Sequence, residues 1–463
     1  MVFARTLLVT LLDAAIVLAS LSLVLVVLTG GFELGPFAAS TAAPPTLQLI
    51  LLVPVRLSIR HGTWLSRQTS AVAASARGAC LRIPAAIRDA AFALTFTHGA
   101  ALLIGFVGNI LLVADREKPF IVRLPWRRFS ETFAAFDSGW YFEIARRGYS
   151  FDPDGQSSIA FFPLYPLLVR LVAAPFGGSD AHVWAAGIGV SWIAFAAALV
   201  ALHGLAERMT GSADVARRTV LYLAIFPFSF YFSRVYAEGL FLLCTVLAVR
   251  SAYDSAWVRA GLFGAFAAAT RPTGVLIALP LLIMAAAGRP SLRVLVGRVL
   301  ALAPVPLAVA AYSAYVYTIA GDPLAWMESR DAWGYSIGHA PYQHLLTSLT
   351  WIETRGLYTW LLASEATPVD FFYTVVALLF LALVPAVMRR FGPALGLYVL
   401  VSLAIPLSGN VLVGIGRYAS VLFPVFIIAA TVSSPRVQTA ILVVSALFHT
   451  LFLILFIGWY PVH

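Results

Sequence analysis

Residues 438–458 read QTAILVVSALFHTLFLILFIG, a run of 21 residues without Asp, Glu, Lys or Arg. About 20 such residues in a helix cross the roughly 30 Å hydrocarbon core of a bilayer. The whole chain has the same character, because 61% of its 463 residues are hydrophobic and only 11% are charged. This composition excludes a soluble enzyme, a disordered protein and a secreted disulfide scaffold. It predicts an all-α polytopic membrane protein.

Similar apolar runs recur along the chain and predict about 11–13 transmembrane helices. The predicted spans are residues 7–29, 46–62, 92–114, 182–205, 219–233, 236–253, 258–270, 275–287, 298–319, 368–388, 393–408, 417–433 and 438–458.

The distribution of arginines predicts which loops face the cytoplasm. Residues 56–91 contain six arginines and a single acid, Asp89, so this loop should be inside. Successive loops alternate between the two sides of the membrane. Two long loops with both acidic and basic residues, 115–181 and 321–367, are therefore predicted to lie outside. The net charge of +10 therefore reflects membrane topology, and no nucleic-acid partner is predicted.

The first outer loop contains a predicted interfacial helix over Glu131–Arg147, with Ser130 as its N-cap and Gly148 as its end. Glu143 and Arg147 are spaced to form an i,i+4 ion pair. A second short interfacial helix is predicted around residues 161–166, where prolines fix its entry.

Asp137 lies among aromatic residues in this loop, next to Phe136, Trp140 and Tyr141. A carboxylate in such surroundings suits a general base, and it equally suits a buried hydrogen-bond acceptor. The DxD spelling of Asp152 and Asp154 lies in a Pro/Gly segment, which favours a turn over a metal site.

Three arginines at the predicted outer edge, Arg234, Arg271 and Arg417, depart from the positive-inside trend. They could contact an anion, or they could extend to the lipid headgroups or pair with an acid. Glu238 is predicted to be the structural partner of Arg234.

Five segments together resemble a known family: FDSGWYFEIARRGY (136–149), IAFFPLYPLLVRL (159–171), YAEGLFLLCTVLAV (236–249), ATRPTGVLIALPLL (269–282) and IGRYASVLFPVF (415–426). They resemble, in order, the bacterial branch of the PIG-V-type mannosyltransferases, which are membrane glycosyltransferases of the GT-C fold. One departure is clear. Family members often have Trp-Asp with a His three residues on, whereas here Phe136 precedes the acid and Trp140 replaces the His.

The resemblance implies transfer of mannose, with inversion, from a polyprenyl-phosphate donor to an acceptor hydroxyl on the outer face of a bacterial cell membrane. It implies that Asp137 is the base and that Arg271, Arg417 and Arg234 bind the donor phosphate. Trp140, Tyr141, Tyr165 and Glu238 are candidate sugar or acceptor contacts. Monophosphate donors leave little need for a divalent cation, so no metal or other cofactor is predicted. Membrane lipids are expected partners, and the acceptor is left open among glycan, lipid and protein.

The resemblance also divides the chain. Residues 1–114 are predicted to be an N-terminal transmembrane addition of three spans, and residues 115–463 the GT-C-like catalytic module. Two alternative functions stay open at this point, a transporter or flippase of lipid-linked sugars and the same transfer with another sugar.

Overall fold

A computed structural model describes residues 83–111, 133–334, 368–409 and 414–458, with shorter pieces at 12, 14–20, 32–34, 37–39, 52, 338–343, 346, 350, 352–354, 356 and 412. The chain divides into two compact units, Met1–Ala85 and Ala86–His463. The predicted spans 7–29 and 46–62 fall almost wholly outside the described residues.

Within the described part of the first unit, two short strands form an antiparallel hairpin. β1 (Phe32–Leu34) pairs with β2 (Phe37–Ala39), with Phe32 opposite Ala39. The all-helical prediction did not include this hairpin.

In the described residues of the second unit, the regular secondary structure is helical. Its helices are α1 (Ala85–Leu111, which begins at the unit boundary), α2 (Ser138–Arg147), α3 (Leu164–Ala173), α4 (Asp180–Thr210), α5 (Ala213–Ile225), α6 (Glu238–Tyr253), α7 (Trp257–Thr270), α8 (Ala278–Ala286), α9 (Leu292–Leu302), α10 (Pro304–Ala320), α11 (Ala325–Glu328), α12 (Pro368–Phe391), α13 (Pro393–Leu407), α14 (Ile415–Ser420), α15 (Phe423–Ala430) and α16 (Pro435–Ile457). Short 3₁₀ turns connect several of them: Ser158–Ala160, Ala174–Phe176, Ser229–Ser233, Pro272–Ile277 and Asp331–Trp333.

Five helical segments in the described chain are long and apolar enough to cross a membrane. They are Ala85–Gly105, Asp180–Thr210, Leu292–Ala320, Phe372–Phe391 and Pro435–Ile457. The prediction of a helical membrane protein is confirmed, and the opening run 438–458 lies almost entirely in α16.

The third predicted span, residues 92–114, overlaps α1, and its described side chains pack with the second unit. Ala93 belongs to the same buried core as α4 and α6. The Thr97 hydroxyl donates a hydrogen bond to the Ala224 carbonyl at 2.6 Å. Asp89, expected in the inner loop, lies in α1 and contacts His203 at 3.2 Å. The compact units divide at Ala85, whereas the predicted division between an N-terminal addition and the catalytic module at residue 114 stays a prediction.

The helices are interrupted at two positions, and each interruption places an arginine close to the end of a short helix. α5 ends at Ile225, just before Pro227, and a 3₁₀ turn leads from there to Arg234. α7 ends at Thr270, where Pro272 follows Arg271 and begins another 3₁₀ turn. Proline cannot continue the hydrogen-bond ladder of a helix. Both arginines therefore have extended backbone between helical segments.

α3 lies within residues 115–181, the predicted first outer loop, and has a buried side and an exposed apolar side. Tyr165 and Val169 are buried, whereas Leu167 and Leu171 are 53% and 68% exposed. An exposed apolar stripe is typical of a helix in contact with lipid. The predicted second interfacial helix, around residues 161–166, overlaps α3 only from Leu164 to Pro166, and its place at the membrane interface stays a prediction.

Candidate active site

Asp137 lies at the N-terminus of α2, not within the helix as the sequence predicted. The helix begins at Ser138 rather than Glu131. Phe136 has a φ of 53°, a left-handed conformation that interrupts a right-handed helix and is uncommon for a bulky residue. The predicted end is correct, because α2 stops at Arg147 before Gly148, whose φ is 92°.

Asp137 and Glu238 are joined by arginines into one charged cluster. Nη1 of Arg417 donates to Oδ2 of Asp137. Nε of Arg417 is 2.6 Å from Oε1 of Glu238, and Nη1 of Arg271 donates to the same oxygen at 2.8 Å. We call these four residues the charged cluster. Its two carboxylates and two guanidinium groups balance formally.

The cluster is buried at one end and open at the other. Glu238 is fully buried and the Arg271 side chain is 5% exposed. The side chains of Arg417 and Asp137 are 17% and 21% exposed. Asp137 therefore lies where a molecule from outside the fold can reach it, with the other charges behind it.

Aromatic rings hold the cluster in place, and sequence reasoning missed most of them. The Arg417 guanidinium carbon is 5.3 Å from the Tyr236 ring centre, and that of Arg271 is 4.9 Å from the Tyr418 ring centre. The Asp137 backbone N–H donates to the Tyr236 hydroxyl at 3.2 Å. Tyr236 and Tyr418 could have been found from their positions in the sequence, because they are close neighbours of Glu238 and Arg417 in the segments that resemble the family.

The predicted pairing of Glu238 with Arg234 is wrong. α6 begins at Glu238 and Arg234 precedes it in extended backbone, with ψ 173°. The four-residue spacing therefore does not place the two side chains on one helical face. Within the described chain, no nitrogen of the Arg234 side chain has a hydrogen-bond partner, although the residue is fully buried. Burial lowers the pKa of its guanidinium to about 9, which leaves it charged at neutral pH.

The aromatic candidates for substrate contact differ in exposure. Trp140 is partly buried and stacks on Phe161, with ring centres 5.8 Å apart. Tyr141 is 3% exposed. Tyr165 is fully buried, and its hydroxyl is 3.0 Å from the Gly187 carbonyl and 2.7 Å from Ser191 Oγ. Trp140 is therefore the best placed of the three to touch a bound molecule.

Several other described charges of the predicted first outer loop form local contacts. Arg147 pairs with Glu143 at 3.4 Å, as the spacing predicts. Oδ1 of Asp152 accepts from the Asp154 backbone N–H at 3.1 Å, which makes the DxD segment a turn. Among the described residues, no group of three or more His, Cys, Asp or Glu side chains is arranged to hold a metal ion.

Comparison with protein families matches residues 107–319 to the model described as Mannosyltransferase (PIG-V). The resemblance to the PIG-V mannosyltransferases is confirmed. The PIG-V match supports a glycosyltransferase in the membrane. It contains Asp137, Glu238 and Arg271, whereas Arg417 lies beyond its C-terminal limit.

Several solved structures are similar to this chain, and two are described here. One is the apo crystal structure of the Archaeoglobus fulgidus oligosaccharyltransferase, with 13% identity and a TM-score of 0.41 over 79% of this chain. The other is the oligosaccharyltransferase AglB of the same organism in complex with an inhibitory peptide and a dolichol-phosphate, with 12% identity and a TM-score of 0.41 over 80% of this chain. The chain spans 56% of the length of each. No curated protein matches.

Proposed function

We propose that this protein transfers a mannosyl residue from a polyprenyl-phosphate donor to an acceptor hydroxyl on the outer face of the membrane, with inversion at the anomeric carbon. The observation that carries the proposal is the charged cluster. It combines a partly exposed carboxylate with two arginines in a chain whose residues 107–319 match a mannosyltransferase family.

Asp137 acts as the general base. Arg417 occupies its Oδ2, and no described residue hydrogen-bonds to Oδ1, so that oxygen can receive the acceptor hydroxyl. As the hydroxyl oxygen bonds to the anomeric carbon, its proton passes to the carboxylate. The bond from that carbon to the phosphate oxygen breaks, and polyprenyl phosphate leaves with the bonding electrons.

Arg271 and Arg417 stabilise the charge that develops on the phosphate. Each guanidinium has five N–H donors. Glu238 takes one from each arginine and Asp137 takes one more from Arg417. The remaining donors, on Arg417 at 17% side-chain exposure and on Arg271 at 5%, are proposed to bind phosphate oxygens, and fixed cations aimed at developing charge are an effective form of catalysis. Glu238 is a positioning residue in this scheme, because it holds both guanidinium groups.

Arg234 is left out of the donor site. It forms no ion pair with Asp137 or Glu238 in the described chain, and its side chain is fully buried. Of the aromatic candidates, Trp140 is proposed to contact the sugar or the acceptor.

The test is transfer of labelled sugar from polyprenyl-phosphate mannose to native membranes, with wild type compared with Asp137→Asn. Loss of the base should lower the rate by about 10²–10⁴-fold. Glu143→Gln is the matched control, because its exposed pair with Arg147 lies outside the charged cluster. Full activity of Asp137→Asn would refute the proposed base. Transfer from a non-mannose donor alone would refute the sugar, and movement of intact donor without transfer would indicate a flippase.

A further inference from the structure

The Tyr236 hydroxyl is hydrogen-bonded to the backbone on both sides of Phe136. It donates to the Ala135 carbonyl at 3.3 Å and accepts from the Asp137 backbone N–H at 3.2 Å. Phe136, between these two residues, has the left-handed φ of 53°. Such a conformation is strained for a bulky side chain and persists only where the surroundings enforce it. One phenol therefore holds the turn that presents Asp137.

The segment that carries Tyr236 is held by two further hydrogen bonds. The Tyr236 carbonyl accepts from Oγ of Ser191 in α4 at 3.1 Å. The Val235 N–H donates to the Phe133 carbonyl at 3.3 Å, which joins the segment again to the stretch that leads into α2. α6 begins two residues after the tyrosine, at Glu238. The hydroxyl therefore connects the start of α2 to the start of α6, and each of these starts carries a carboxylate of the charged cluster.

The ring of Tyr236 lies against the arginine that contacts both carboxylates. The Arg417 guanidinium carbon is 5.3 Å from the ring centre, a distance typical of a cation–π contact. Nη1 of Arg417 donates to Oδ2 of Asp137, and its Nε is 2.6 Å from Oε1 of Glu238. The tyrosine side chain therefore contacts the backbone of Asp137 through its hydroxyl and the charged partner of the Asp137 carboxylate through its ring.

We propose that Tyr236 is a positioning residue for the sugar transfer, because its hydroxyl sets the place and direction of the Asp137 side chain. This inference rests on the proposed function, since it takes Asp137 to be the base. A base must lie within hydrogen-bond reach of the group it deprotonates, and a displacement of about 1 Å can cost about 100-fold in rate. The phenol acts through Asp137 and does not touch the reacting atoms, since Tyr236 is fully buried.

Tyr236→Phe separates the two contacts of this side chain. The ring and its contact with Arg417 remain, whereas the Asp137 N–H and the Ala135 carbonyl lose their bonds to the phenol. The substitution keeps the shape of the buried side chain, so the variant should fold. We expect the rate of transfer at saturating donor to fall by about tenfold. The donor concentration for half-maximal rate should stay unchanged, because the donor arginines keep their contacts.

The test is a double-mutant cycle with Asp137→Asn, measured as the rate of labelled sugar transfer from polyprenyl-phosphate mannose to native membranes. Asparagine keeps the backbone N–H that contacts the phenol, but its side chain cannot take the proton. If the phenol acts through the base, Tyr236→Phe should cost about tenfold in the wild-type background and nothing in the Asp137→Asn background. The same loss in both backgrounds would overturn the proposal, as would full activity of Tyr236→Phe.

Thr97→Val is the matched control, because it also removes a buried hydroxyl that donates to a backbone carbonyl, that of Ala224. Thermal unfolding should show a lower midpoint for both variants, and only Tyr236→Phe should lose transfer per folded molecule. Equal rate losses in the two variants would indicate a general effect on the fold and would overturn the proposal. Full activity of Asp137→Asn, in contrast, would overturn the proposed function itself, and this inference with it.

Discussion

Arg417 contacts both carboxylates of the charged cluster, through Nη1 to Asp137 and Nε to Glu238. Of these two carboxylates, Arg271 contacts only that of Glu238. A lysine keeps the charge, but its single ammonium cannot reproduce a planar group that holds two acids at once. We therefore expect Arg417→Lys to lower sugar transfer by about 10²-fold and Arg271→Lys by about tenfold or less.

The measurement is the initial rate of transfer at saturating and at limiting donor for both variants. Arg417→Lys should lower the maximal rate, because Asp137 loses its fixed orientation, whereas Arg271→Lys should mainly raise the donor concentration needed. Equal losses in the two variants would mean that charge alone matters at both positions.

Sequence reasoning identified the charged residues of the site more easily than their partners. Asp137, Arg271 and Arg417 are candidates on residue type and position alone. The ion pairs between them cannot be predicted from residue type and position, because Asp137 and Arg417 are 280 residues apart and meet only through the packing of the helices. The pairing of Glu238 with Arg234 failed for a local reason, since the spacing rule for helices was applied across a helix start.

At the scale of elements, breaks in the helices position the site more than the helices do. Phe136 with φ 53° sets the start of α2 and thus the place of Asp137. Nothing in a single sequence marks a left-handed Phe, because this conformation is uncommon for that residue type. Gly148 was predictable, since glycine after a basic last turn is a standard helix end.

The turn after α7 gives a testable case. A Cβ on Gly274 would lie 2.0 Å from the carbonyl oxygen of Ala267 and 2.3 Å from its carbonyl carbon. These are backbone atoms of α7, so no rotamer change relieves the clash. The Gly274 N–H also donates to the Arg271 carbonyl at 2.8 Å, which couples the turn to the charged cluster.

We therefore expect Gly274→Ala to destabilise the protein by about 1–3 kcal/mol and to lower sugar transfer as Arg271 shifts. Gly297→Ala is the matched control. A Cβ there meets nothing within 4 Å in α9, and alanine favours a helix over glycine by up to about 1 kcal/mol. Thermal unfolding and transfer assays check both variants. Unchanged stability of Gly274→Ala would show that the close approach of Gly274 to the α7 backbone does not contribute to stability.

At the scale of the whole molecule, the proposed function requires the first outer loop and the arginine-rich loop 56–91 to lie on opposite sides of the membrane. The chain offers a direct test with a membrane-impermeant maleimide. Cys80 lies in the basic loop, outside the described residues, and the other cysteine, Cys244, is buried. Asp154 lies exposed in a turn of the outer loop.

In intact cells, wild type should stay unlabelled and should react at Cys80 only after permeabilisation, since basic loops remain in the cytoplasm. Asp154→Cys in a Cys80→Ser background should react in intact cells. Cys80→Ser alone is the control and should stay unlabelled in both conditions, because Cys244 is 4% exposed. The opposite pattern would place Asp137 on the cytoplasmic side. Transfer would then have to use a donor whose sugar faces the cytoplasm, and the outer-face proposal would fail while the chemistry at Asp137 could still hold.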